Sequence, residues 1–150
     1  MCVLASPDTK EGTIRVMHFD QGNKTLFINA HLSAVSAIAL NHDGNLLATA
    51  SDKGQIIRIF VTDTGQQIQE LRRGTDTAEV ISLSFDPVSK YIGCTSDKGT
   101  VHIFSIRSDV SLAAMTHKQL EEITSPVRND SGLPAIQPIT PTFYAPEGLS

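Results

Sequence analysis

Two stretches of the chain are near copies of one another. Val35 to Phe60 reads VSAIALNHDGNLLATASDKGQIIRIF, and Val80 to Phe104 reads VISLSFDPVSKYIGCTSDKGTVHIF. Laying Ser51 of the first SDKG on Ser96 of the second gives a shift of 45 residues, which also carries Val35 onto Val80. A repeat of about 40–45 residues is the period of a four-stranded propeller blade, whereas helical repeats of similar length lack a pattern of short strands. The strand signals agree. Val35, Ala37 and Ala39 alternate with Ser36, Ile38 and Leu40 in a short, mostly apolar run, as expected for a strand covered on both sides. His42 to Asn45 (HDGN) supplies turn chemistry, LLATAS gives a second strand, DKG turns the chain into QIIRIFV, and DTG turns it again into QQIQEL.

The second copy repeats three of these strands as VISLSF, YIGCTS and TVHIFSI, and a partial copy precedes both: GTIRVMHF, Gly12 to Phe19, resembles GQIIRIF, with KTLFINAH as the outer strand after it. The expected fold class is therefore all-β and propeller-like: the last half of one blade, one whole blade, and three strands of another, or about two and a half four-stranded antiparallel blades. A propeller closes its ring with about four to eight blades. An arc this short leaves open edges, so the chain reads either as a segment of a longer protein or as a truncated product needing a partner, and MCVLASPDTKEG cutting into a blade favours the segment. The propeller portion is set at residues 1–109. Residues 110–150 carry Pro126, Pro134, Pro138, Pro141 and Pro146, most of the chain's 7 prolines, and read as a long loop or tail. Only Leu112 to Ile123 could make a short helix there.

Composition narrows the function classes. A net charge of −4 and a pI near 5.6 argue against broad nucleic-acid binding, which needs a basic face. No apolar run approaches the length of a membrane span, and the N-terminal patch has no basic n-region or cleavage site. Cys2 and Cys94 lack metal-ligand spacing and read as free thiols in a reducing compartment. No nucleophile elbow, phosphate-cradling Gly-rich loop or zinc spacing is present. Asp97, His102 and Ser105 share one hairpin with no oxyanion donor, so an enzyme is not expected, and neither a metal nor a cofactor is called for.

Against this acidic background stands Arg72-Arg73, the only adjacent arginine pair, between the apolar Leu71 and the turn-making Gly74. Neighbouring side chains of an extended segment point to opposite faces. Arg72 can therefore turn back towards the blade it ends and Arg73 towards the blade about to start. Around them, one copy offers Thr49, Ser51, Lys53 and Arg58, with His31 entering the blade; the other offers Ser96, Lys98, Thr100 and His102. Guanidinium forks, hydroxyls and imidazoles are the groups that bind phosphate oxygens, and a phosphorylated sugar headgroup suits such a rim.

NAH, LLATASDKGQIIRIF, LRRGTD, AEV and SDKGTVHIF together resemble the PROPPINs, the phosphoinositide-binding WD-repeat propellers of autophagy, whose signature is Phe or Leu followed by Arg-Arg-Gly. The resemblance covers about residues 2–109 and implies the fourth to sixth blades of a seven-bladed ring. It implies binding of phosphatidylinositol 3-phosphate and phosphatidylinositol 3,5-bisphosphate in two rim pockets. Arg72 would join His31, Thr49, Ser51, Lys53 and Arg58 in one; Arg73 would join Ser84, Ser96, Thr100 and His102 in the other. It further implies that the segment after Asp109 is the family's membrane-facing loop and that the protein is cytoplasmic, attached peripherally to preautophagosomal or endolysosomal membranes. Its partners would be phosphoinositide-containing membranes and autophagy proteins of the lipid-transfer or conjugation machinery, the latter through blades not present here.

Plainer readings compete. Charged turns usually face water; SDKG by itself only closes a hairpin; His31 and His102 are each open to a structural role, and His18, His42 and His117 read as surface residues. The alternative function is a WD-repeat scaffold whose arginines grip an acidic peptide or protein partner. The chain has no Trp, so the Trp-Asp ending of typical repeats is replaced by Ile59-Phe60 and Ile103-Phe104, which suits the lipid-binding branch better.

Overall fold

A computed structural model describes residues 1–107, so the loop or tail expected over 110–150, with the short helix and membrane-facing role expected of it, and His117 lie outside the described residues. Among the described residues, ten strands form three antiparallel sheets. The first sheet holds β1 (Val3–Pro7), β2 (Thr13–His18) and β3 (Lys24–Asn29). The second holds β4 (Val35–Leu40), β5 (Leu46–Ser51), β6 (Ile56–Val61) and β7 (Gln67–Arg72). The third holds β8 (Val80–Phe85), β9 (Tyr91–Ser96) and β10 (Val101–Ser105). Strand order follows chain order in each sheet, and the leading strands stand side by side, β1 against β4 and β4 against β8. Each sheet is thus a blade running outward from a shared inner edge, as the repeat requires.

The first blade contains one strand more than the sequence reading allotted it. Val3 to Pro7 pairs with β2 from Val3 opposite His18 to Pro7 opposite Ile14. Pro7 can close this strand because β1 is at the sheet's edge, where a missing amide is tolerated. Chain alternation within Val3–Pro7 is short and irregular, so only pairing reveals it.

Two apolar layers hold the blades together. Ile14, Val16, Ile28 and Ala30 of the first blade pack on Leu47 and Phe60 of the second. Leu46, Ala48, Ala50, Ile57, Ile59 and Leu71 from the other face of the second blade pack on Val80, Leu83, Ile92 and Cys94 of the third. β5 is buried along its whole length, which explains its unbroken LLATAS composition. Removing a buried Ile or Leu side chain from such a layer costs about 2–5 kcal/mol.

His18 is a correction to the surface reading. It is fully buried, and its Nε2 meets the carbonyl oxygen of Thr62, 2.8 Å away in the second blade. Its cover comes from residues 44 positions further on, a distance at which local pattern carries no information.

Candidate functional site

The segment that joins the first blade to the second is anchored by a glycine. Gly12 has φ +75°, and a Cβ there would lie 1.9 Å from the carbonyl oxygen of His31, so only glycine lets the segment pass this close. The amides of Ala30 and His31 donate to the Gly12 carbonyl at 2.9 and 3.0 Å. This fixes His31 against the β5–β6 hairpin, where its Nε2 hydrogen-bonds the Thr49 hydroxyl at 2.9 Å. Burial, and then the positive Arg58, hold the His31 pKa below its ordinary value.

Beside His31 opens a recess of about 160 Å³ lined by His31, Leu32, Ser33, Ser51, Lys53, Gln55, Ile56 and Arg58. Four of the expected first-pocket residues therefore line one cavity, and Thr49 holds His31 from behind. Arg58 donates from Nη1 to the Ala30 carbonyl at 2.7 Å and from Nε to Glu70 at 3.0 Å. The sequence reading did not include Glu70. It stands opposite Arg58 in the β6–β7 pairing because a bulge between Ile59 and Phe60 shifts the register by one; continuing the Phe60–Gln67 pairing unshifted would put Gln69 there.

The same register places the arginine pair. Leu71 lies opposite Ile57, whose side chain is in the layer facing the third blade, and Arg72 lies opposite Ile56, which lines the recess. Arg72 therefore shares the face of Arg58 and Glu70, towards the first blade. It stands beside the recess rather than lining it, is exposed, and its side chain makes no hydrogen bond or ion pair among the described residues.

Arg73 goes the other way. Its guanidinium donates to the backbone carbonyls of Gly54 and Asp76. Its positive charge opposes the rise that burial imposes on the Cys94 thiol of the third blade. Neither arginine is paired with a carboxylate among the described residues. On the third blade, the hydroxyls of Ser96 and Thr100 lie 3.3 Å apart, and the His102 ring stacks on Phe104 with centroids 6.0 Å apart. His102 is opposite Cys94 in the β9–β10 pairing, so it faces the second blade with them.

Ser84 does not join this group. It pairs with Gly93, between the inward-facing Ile92 and Cys94, and so lies on the opposite face of its sheet, next to the exposed Ile103 opposite Gly93. Alternation from the buried Leu83 would have placed it there from sequence.

Three stacked antiparallel blades carrying hydroxyl-, imidazole- and guanidinium-bearing hairpins define an arc of a β-propeller with anion-binding chemistry along one edge. The PROPPIN family matches residues 2–119, and the chain belongs to that family. It is 45% identical over 103 residues to SVP1-like protein 2 of Neurospora crassa, covering 69% of this chain and 24% of the relative. It is 39% identical over 130 residues to autophagy-related protein 18 of Meyerozyma guilliermondii, covering 81% of this chain and 23% of that one. Among solved structures, Kluyveromyces lactis Hsv2 superposes with a TM-score of 0.67 at 31% identity, over 77% of this chain and 38% of the other. The chain spans about a quarter of the length of the sequence relatives it matches.

Proposed function

We propose that this chain is the lipid-reading portion of a phosphoinositide-binding protein that attaches peripherally, from the cytoplasm, to membranes where autophagosomes form. Its ligands are phosphatidylinositol 3-phosphate and phosphatidylinositol 3,5-bisphosphate. The observation that carries this reading is the splay of two adjacent guanidiniums: Arg72 beside the recess, and Arg73 turned to the Gly54 and Asp76 carbonyls where the chain crosses to the third blade. In the first site, Lys53 brings a mobile point charge, Ser51 a hydroxyl, and Arg58 the N–H groups left after Ala30 and Glu70 are served. Arg72 supplies an unengaged fork at the edge. In the second, Arg73, Ser96, Thr100 and His102 are the candidate ligands. The PROPPIN membership and the autophagy-related names of relatives favour this lipid chemistry over other anions.

Two weak sites on one rigid body raise the effective affinity about 100-fold over one, where the geometry allows both to engage. An acidic chain would in this way select a particular headgroup without binding every anionic surface. Vesicle flotation tests the reading. Arg72→Thr with Arg73→Thr is expected to leave the protein at the bottom of the gradient with phosphatidylinositol 3-phosphate vesicles. Flotation equal to the parent's would overturn it. Loss of a protein partner from pull-downs, with no vesicle binding by parent or variant, would point to the scaffold alternative.

A further inference from the structure

The lipid-reading proposal leaves one conspicuous side chain unused. Leu32 lines the recess and is 102% exposed, so it stands at the mouth and touches almost nothing. Singly exposed leucines are ordinary on protein surfaces, but the backbone around this one is tied down on both sides. Before it, the Ala30 and His31 amides bond Gly12, the Ala30 carbonyl accepts from Arg58 at 2.7 Å, and the His31 ring is held by Thr49. After it, the Ala34 carbonyl accepts from the Asp52 amide at 2.8 Å. Between these anchors Leu32 and Ser33 project as a short, fixed prow. Of the other large exposed apolar groups, several sit on strands, such as Phe27, Ile81, Tyr91, Val101 and Ile103, and neither these nor the rest line this recess.

Resting on the lipid reading of the first recess, we infer that Leu32 is a membrane-inserting side chain that seats the mouth of this recess on a bilayer. A headgroup whose phosphate enters among Lys53, Ser51 and His31 must leave its acyl chains outside the mouth. That is where Leu32 stands. An aliphatic side chain there moves from water into the interfacial hydrocarbon as the headgroup docks, which adds apolar burial to an otherwise polar contact. Because the prow is anchored, little ordering accompanies insertion. The partner is thus a lipid surface, and a free inositol phosphate would gain nothing from Leu32.

The chain contains no Trp, so Leu32→Trp introduces a single reporter at the prow. Phosphatidylcholine vesicles doped with phosphatidylinositol 3-phosphate are expected to shift its emission to the blue, and brominated acyl chains to quench it. Leu32→Ser is expected to partition onto the same vesicles about 10-fold more weakly, while its titration with soluble inositol 1,3-bisphosphate matches the parent's. Flotation of Leu32→Trp without a shift or quench overturns the inference, as does an equal loss of vesicle and soluble-headgroup binding by Leu32→Ser. Failure of the parent chain to bind either ligand overturns the lipid reading itself and the inference with it. Binding of the soluble headgroup with vesicle partition indifferent to Leu32→Ser overturns the inference alone.

Discussion

The β5–β6 and β9–β10 hairpins follow one plan and end in different chemistry. Both carry SDKG, and both turn their second strand's polar side chain towards the preceding blade: Arg58 in one, His102 in the other. The second hairpin is one residue shorter, GTVHIF against GQIIRIF, so it places an imidazole where the first has a guanidinium. Cys94 stands across from His102 where Thr49 stands across from Arg58. The first recess is thereby rich in fixed positive charge and carries Glu70 to offset it, whereas Arg73 of the second is engaged by two backbone carbonyls. The lesson is that a repeat preserves the scaffold while single positions on it reassign the ligand chemistry. It also means that the two arginines, adjacent in sequence, are under different constraints.

The largest expected effect separates the hairpin glycines. A Cβ at Gly54 would lie 1.8 Å from the Ala78 carbonyl at φ +58°, while at Gly99, φ +71°, nothing among the described residues lies within 4 Å. Gly54→Ala is expected to lower stability by roughly 3 kcal/mol, and Gly99→Ala by about 1 kcal/mol, in denaturant unfolding. Equal losses would break the comparison. Next come the arginines taken singly. Arg73→Ala leaves two carbonyls without their donor and is expected to cost about 1–2 kcal/mol of stability along with vesicle affinity. Arg72→Ala should change stability by less than about 0.5 kcal/mol and act on binding alone. Paired thermal-unfolding and flotation measurements distinguish the two.

His31 gives a pH test. Its pKa lies below the ordinary value of 6.5, because of burial first and Arg58 second. An entering phosphate favours the charged ring, so the His31 contribution to binding takes up a proton and strengthens as pH falls below 6.5. Stability runs the other way. With the folded pKa below the unfolded one, its contribution is full above 6.5 and is lost as pH falls through the folded value. His31→Asn should flatten the binding profile in isothermal titration with soluble headgroup. The smallest effect is expected at Glu70. The Arg58–Glu70 pair is partly exposed, and Glu70→Gln should strengthen headgroup binding by about 2–3-fold in the same titration. A weaker interaction would show that Glu70 positions Arg58 instead of restraining it.

Most of the blade architecture was legible in the chain. The repeat, the Gly- and Asp-bearing turns and the short apolar runs mark the whole second blade and the three strands of the third. β1 was not, because an edge strand ending in Pro7 has too few alternating positions to stand out. His18 was not, because the group that buries it belongs to the next blade. Of the site, the residues brought to the recess were legible from the hairpin, yet Ser84 was assigned by resemblance to a face that its own alternation with Leu83 contradicts.

Sequence alone settled that hairpins of this period would stack as propeller blades, since each blade's apolar faces can be covered only by its neighbours. Which arginine faces which blade was decided elsewhere, by the single extra residue at the Ile59–Phe60 bulge. Side chains along a strand alternate with a period of two, so one inserted residue exchanges the faces of everything beyond it. Without that bulge Arg72 and Arg73 would trade sides, and Leu71 would leave the core.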